Sequence, residues 1–245
     1  MKKLLLIILP IVLALITALA VILLKDKADS ADKDSSNISS PSQGNAMYSF
    51  TMVLKPDNGG LILEQNEIDS IIAGITERLK SYTDSSFEIV HKNGSYYITV
   101  TDSSDYNALS DDEKAEFLST AEALFVKGVV EFREGTDKNG TLLLNNKDIK
   151  RAFGTIDPVV YTDIIQLEFT EAGSKKFAEA TKRLIGNEIS IWVDDICIFS
   201  PWVRTAIESG ECYIDGIESA TEAQVYAAIF ESKPLPYGMT ITSIE

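Results

Sequence analysis

The sequence predicts an α+β protein whose folded part follows one apolar segment of membrane-spanning length. Three observations carry this. Apolar residues recur at helical spacing in some stretches and alternate in others, with Gly, Asn, Asp and Pro at the joints. One uncharged run, Leu4 to Leu24, is long enough to cross a bilayer. The Ser-, Asp- and Lys-rich stretch after it has no aromatic residue and too little apolar surface to offset its ordering entropy. Of the 245 residues, 45% hydrophobic, roughly 200 remain for folding, enough for one large or two small domains.

Residues 1–24 are expected to form a transmembrane anchor. The run Leu4 to Leu24, about 21 residues at 1.5 Å each, spans about 30 Å, one hydrocarbon core. Lys2 and Lys3 favour a cytoplasmic N-terminus, and Pro10 would kink the helix. A cleaved signal peptide is the competing reading, because Ala18, Leu19 and Ala20 offer a small-x-small site. Val21 to Leu24, however, carry the apolar run past it. No cysteine follows that would accept a lipid. Either way the rest of the chain is placed across the membrane: single-pass and extracytoplasmic. Residues 25–46 read as a flexible linker of about 22 residues with a reach of roughly 25 Å.

In the folded part, Tyr48 to Lys55 reads as a strand ended by Pro56 to Gly60. Ile68, Ile71, Ile72, Ile75 and Leu79 then form one helical stripe, with Asn66 as N-cap and Asp69 in the first turn. Phe87 to Val90 and Tyr96 to Val100 are strands joined through Asn93-Gly94, a hairpin signal. Ser110 and Glu113 make a capping box for a helix that buries Phe117, Leu118, Ala121, Leu124 and Phe125 and stops at Gly128. Val129 to Arg133 is a strand. The order so far is βαββαβ, the split unit of ferredoxin-like folds.

Farther on, Asp137 to Gly140 is a turn and Asn145 to Phe153 a short helix. Ile164 to Phe169 is a strand, and Thr170 caps a helix with Phe177, Thr181, Leu184 and Ile185 inside and Gly186 at its end. Glu188 to Val193 and Ile196 to Phe199 flank an Asp194-Asp195 turn. Glu211 to Ile214 is another strand. Ser219 and Glu222 form a second capping box for a helix through Phe230; Pro234 and Pro236 break the chain before a last strand, Met239 to Ile244.

Composition limits the chemistry. A net charge of −15 opposes nucleic-acid binding and adsorption on an anionic membrane, since both need clustered Lys and Arg. Cys197, Cys212 and the lone His91 supply too few ligands for a Cys/His zinc site. The two cysteines fall in neighbouring strands and would bridge if those strands pair in register; otherwise they are small buried hydrophobes. Adjacent Asp194 and Asp195 would point to opposite faces of a strand, a poor acid/base pair, and suit a turn. Asp111, Asp112 and Glu113 suit a helix first turn. His91, at a strand end, reads as a solvated histidine. Neither a Gly-x-Ser-x-Gly elbow nor a Gly-rich phosphate loop is present. No enzyme, cofactor or small-molecule substrate is expected. Trp202, Arg204 and Tyr213, residue types favoured at binding hot spots, form a candidate interaction surface; the competing role for Trp202 is to cap the core beneath it.

Several segments resemble the first extracytoplasmic domain of the SecD family of protein-export membrane proteins. Val130 to Gly135 resembles that family's Leu-Glu-Phe-Arg strand, and Leu142 to Ile149 the stretch leading into its head subdomain. Gln166 to Gly173, with Lys175, Lys176 and Phe177, resembles its strand-then-helix segment, and Gly186 matches its post-helix glycine. Ile198, Ser200, Pro201 and Val203 resemble its Ile-Ser-Ala-Pro-Val segment, and Leu235, Pro236 and Thr240 precede the last strand as in the family. Departures are Asp194-Asp195 for the usual Asp-Gly, Phe199 for an alanine, and a Gly-Gly pair shifted behind Pro56 and Asp57.

The resemblance implies a ferredoxin-like base of residues 47–141 plus 233–245, with an α+β head of 142–232 inserted. It implies partners in unfolded polypeptide or a protein-export complex. No second apolar run approaches spanning length, so a complete proton-driven motor is not expected. The expected role is non-enzymatic, binding polypeptide or docking to a membrane assembly. The alternative is an envelope structural or interaction protein that reuses the fold outside export.

Overall fold

The computed structural model describes residues 48–102 and 104–245. The expected anchor, Leu4 to Leu24, and the linker, residues 25–46, lie outside the described residues. Within them, no helix is long and apolar enough to cross a membrane.

The first sheet is built from β1 (Tyr48–Pro56), β2 (Ser86–Lys92), β3 (Ser95–Thr101) and β12 (Met239–Ile244), in the order β12-β1-β3-β2. A two-residue strand, β4 (Ser104–Asp105), pairs in parallel with the start of β1. Alternation decides the faces. Phe50, Met52 and Leu54 stand opposite Val100, Ile98 and Tyr96, and all six are buried. Helices α1 (Gln65–Tyr82) and α2 (Asp111–Leu124) cover that face; Phe50 meets Phe117 edge-on at 4.9 Å between ring centroids. At the β2–β3 hairpin, Asn93 and Gly94 both adopt positive φ, 52° and 72°, as a two-residue primed turn requires.

The second sheet runs β10 (Ile196–Phe199), β9 (Ile189–Val193), β5 (Val130–Glu134), β6 (Leu142–Asn145). The third runs β11 (Glu211–Ile214), β8 (Asp163–Phe169), β7 (Ile149–Ile156). Helix α3 (Glu171–Arg183) packs on β6 and β8. Helix α4 (Ala220–Glu231) packs on β7 and β8 and also on α1 and α2. Its sequence explains this central place. Ala223, Val225, Ala227, Ala228, Ile229 and Phe230 are buried, and a helix apolar almost all round must be enclosed.

The structure corrects several expectations. Val129 to Arg133 does not close the first sheet. β5 lies inside the second sheet, between β6 and β9, where Phe132 faces Leu144 and Ile191 and becomes fully buried. β12 instead takes the edge beside β1. Asn145 to Phe153 is not a helix but the end of β6, a 3-10 turn (Asn146–Asp148) and the start of β7; pairing with β8 buries Ile149 and Ala152, a return that isolated propensity cannot foresee. Helix α1 starts at Gln65, so Asn66 is not its cap: Glu64 N donates to Glu67 Oε2 at 3.0 Å, and Asp69 accepts from Gln65 Nε2. Ser219 caps α4, but Glu222 accepts from Glu218 N rather than closing a box. Leu118 and Ile185 are exposed. The Ser110–Glu113 box and the Thr170 cap form as expected.

Candidate functional site

Trp202 and Arg204 lie on the segment after β10. Backbone bonds from Ile189 N to Pro201 O (3.1 Å) and from Val203 N to Asn187 O (2.9 Å) lay this segment beside the start of β9. Val203 turns inward and is buried, so its neighbours turn outward: Trp202 is 63% exposed and does not cap the core. Tyr213, 66% exposed, stands on β11 opposite Gln166, in the third sheet. Among the described residues no ring or cation–ring contact joins these three side chains.

A larger apolar feature escaped the sequence reading. The β7–β8 hairpin carries Ile156, Val159, Val160 and Tyr161, all exposed, with Val159 at 80% and Tyr161 at 81%. The tip is shaped by hydrogen bonds. Asp157 Oδ1 accepts from Val159 N (2.7 Å) and Val160 N (3.0 Å), and Tyr161 N donates to Asp157 O at 2.9 Å. The single carboxylate is thus spent on the turn while the apolar side chains project. Exposed apolar residues grouped in this way mark contact sites more often than scattered ones do. The signal was Asp157-Pro158 followed by three large apolar residues, too short for periodicity to register.

A second residue missed is Arg78. It lies on the stripe of Ile71, Ile75 and Leu79 and is fully buried. Its guanidinium donates to the carbonyls of Leu124 (2.7 Å), Val126 (2.6 Å) and Lys127 (3.3 Å) and to Ser232 Oγ (3.1 Å). Burial pulls its pKa down to about 10, and the Asp194 charge opposes that shift. Asp194 itself accepts from Val129 N (2.9 Å) and Gly128 N (3.2 Å). Gly128, at φ +80°, is required here, since a Cβ would sit 2.6 Å from Arg78 Nη2. Arg78 thus ties α1 to the end of α2 and the end of α4, and Asp194 holds the β9–β10 turn to the adjoining backbone of Gly128 and Val129. An arginine on an apolar stripe was the sequence clue.

The acidic candidates are structural. Asp194-Asp195 forms the β9–β10 turn, with Asp194 at φ 56°; Lys138 Nζ donates to Asp194 O at 2.6 Å and pairs with Asp195. Asp111, Asp112 and Glu113 occupy the first turn of α2. His91 is half-buried: its ring packs 4.7 Å from that of Tyr96, and its buried Nε2 has no hydrogen-bond partner among the described residues. Within the same residues no cluster of three or more His, Cys, Asp or Glu could hold a metal. The cysteines lie in different sheets, β10 and β11, which do not pair. The register a Cys197–Cys212 bridge needs is therefore not met, and both thiols are free. Burial pushes the Cys212 thiol up to about 12.

The motif Phe169-Thr170-Glu171-Ala172-Gly173 has a packing reason. Thr170 Oγ1 accepts from Gly173 N at 3.1 Å, and Asp148 lies against that turn so closely that a Cβ on Gly173 would meet Asp148 O at 2.3 Å. Buried Asp148 also pairs with Lys176 at 2.7 Å.

Comparison with known proteins agrees with this arrangement. Residues 133–237 match the family model of the SecDF P1 head subdomain. The chain is 31% identical over 120 residues to a protein translocase subunit SecD of Acidaminococcus fermentans, covering 49% of this chain and 28% of that protein. It is 33% identical over 111 residues to the Petrotoga mobilis SecD, covering 45% and 22%. The Thermus thermophilus SecDF is 32% identical over 105 residues, covering 43% and 14%. The chain therefore spans little more than a quarter, at most, of these relatives. A crystal structure of SecDF in a super-membrane-facing form superposes with a TM-score of 0.60 over 85% of this chain and 32% of that one, at 20% identity. A structure of a SecDF membrane component that enhances protein export gives 0.56, covering 80% and 99%, at 21% identity. At such identities the superpositions speak for the fold. The sequence matches support a SecD-family extracytoplasmic domain here, with residues 133–237 similar to the SecDF P1 head subdomain.

Proposed function

We propose that this chain is a membrane-anchored, extracytoplasmic SecD-like module that serves protein export without catalysis, by binding polypeptide or docking to a membrane assembly. The observation that carries the reading is the head match over residues 133–237. The named relatives are protein translocase subunits. Leu4 to Leu24 supplies the anchor, and the net charge of −15 keeps the module off an anionic membrane surface.

In this reading the first sheet is a ferredoxin-like base whose fourth strand is β12, and the head is an insertion between α2 and β12. The pairing of β12 with β1 supports the return. In the same reading the base–head boundary lies at the α2–β5 junction rather than at residue 141, which the pairing of β5 within the second sheet supports. The exposed β7–β8 tip and Trp202 supply contact surface on the head.

The test uses the full chain, crosslinked in its native membrane and purified, together with a binding assay against a permanently unfolded polypeptide. Recovery of export-complex subunits or saturable polypeptide binding is expected. Recovery of other envelope proteins alone, with no polypeptide binding, would replace export by an envelope role.

A further inference from the structure

We propose that an extended polypeptide segment binds by adding a strand to the free edge of β2, laying alternate side chains into a groove between β2 and α1. The inference rests on the polypeptide-binding reading above and gives it a site. The groove is open, about 650 Å³ in volume, and lined by Ile72, Thr76 and Lys80 of α1, by the polar α1–β2 loop Thr83, Asp84 and Ser85, and by Ser86, Phe87 and Ile89 of β2. Ile72, Phe87 and Ile89 are only partly buried, though each touches the core.

Among the described residues, β2 pairs only with β3, so alternate residues of β2 turn their N–H and C=O groups away from any partner. Edges of this kind are commonly blunted by bulges, brevity, Pro or inward charges. The other edge strands carry such devices. β12, β10, β6 and β7 each have a register shift against their neighbour, and β11 has 4 residues. β2 has 7 residues, keeps one register with β3 from Ser86 to Lys92, and contains no Pro. Its half-buried side chains, Phe87, Ile89 and His91, alternate with exposed Glu88, Val90 and Lys92, so the acidic and lysine side chains of β2 lie on its outer row, and the charges lining the groove are Lys80 and Asp84.

The occupant follows from this chemistry. A row of main-chain donors and acceptors is complemented by another extended main chain, and Ile72, Phe87 and Ile89, within an otherwise polar groove, take alternate apolar side chains. Lipid offers no such row. The chain's own residues 25–46 are too polar to supply such side chains.

The test uses the full chain in detergent and a labelled decapeptide of alternating Thr and Val, with a second copy of that peptide N-methylated at alternate amides. Binding by strand addition slows hydrogen exchange of β2 amides, and N-methylation weakens binding by about tenfold or more because the donors are lost. Thr76→Trp fills the groove, and Lys80→Trp does so from an exposed position that leaves the core alone; each is expected to weaken the unmodified peptide by about tenfold. Peptide binding without β2 protection would overturn the groove and leave polypeptide binding standing. No peptide binding would overturn both. Protection of β2 that rises with protein concentration and without peptide would show a second copy on the edge, and would also overturn the proposal.

Discussion

β1 finds its partner β12 almost at the other end of the described chain, whereas β7 with β8 and β9 with β10 are hairpins closed by short loops. The first sheet therefore cannot be completed until the intervening segment has brought residues 239–244 back. The second and third sheets draw most of their pairs from within residues 130–214. Non-local pairing must first offset loop-closure entropy, and a local hairpin meets little of it. The difference teaches where the two regions depend on each other. Two features join them: α4, which packs on helices of one region and strands of the other, and Arg78, which bonds the ends of α2 and α4 from within α1.

The largest expected effect tests that junction. Arg78→Met removes a buried cation and leaves three carbonyls without their donor, at about 3–5 kcal/mol. That is a large part of an ordinary domain's stability. Urea unfolding monitored by amide exchange should show β1–β12 and β5–β9 protection falling together; loss confined to the first sheet would mean that Arg78 does not couple the regions.

Gly173→Ala acts on the head alone. Its Cβ would press on Asp148 O, and relief must displace the 3-10 turn or α3, at roughly 1–3 kcal/mol. Exchange should quicken in β7, β8 and α3 while β1 and β3 keep their protection. An equal response in both sheets would erase the distinction between local and non-local closure.

The thiols report on the third sheet without perturbing it. Cys197 is exposed and Cys212 half-buried, and the Cys212 thiolate forms only near pH 12 in the folded chain. At pH 8, iodoacetamide should modify Cys197 first, with Cys212 following at the rate of local opening. Equal rates would place β11 at an open surface.

The smallest effect concerns α4. Burial raises the Glu222 pKa, with the Glu218 charge adding and its backbone N–H opposing. A raised folded pKa means the fold favours the protonated form. That contribution is full below the unfolded pKa and is lost as pH rises through the folded one. Glu222→Gln should therefore stabilise the chain at pH 7, by less than about 1 kcal/mol because the group is half in solvent, and have no effect at acid pH. A loss at pH 7 would show that the bond from Glu218 N outweighs burial.

The sequence by itself determined the elements that local chemistry controls. The stripe Ile71, Ile75, Leu79, the Ser110–Glu113 box, the Asn93-Gly94 hairpin and the Asp194-Asp195 turn are all present, because each depends on residues within a turn or two of one another. The order of motifs from Gln166 to Thr240 also pointed to the family. Only the tertiary structure decided partners. It placed β5 in the second sheet, made strands of residues 149–156, separated Cys197 from Cys212, buried Arg78, and left the β7–β8 tip and the β2 edge open. These outcomes depend on which distant segment arrives first to cover an apolar face or a row of unpaired backbone groups, a competition between whole surfaces that no local pattern encodes.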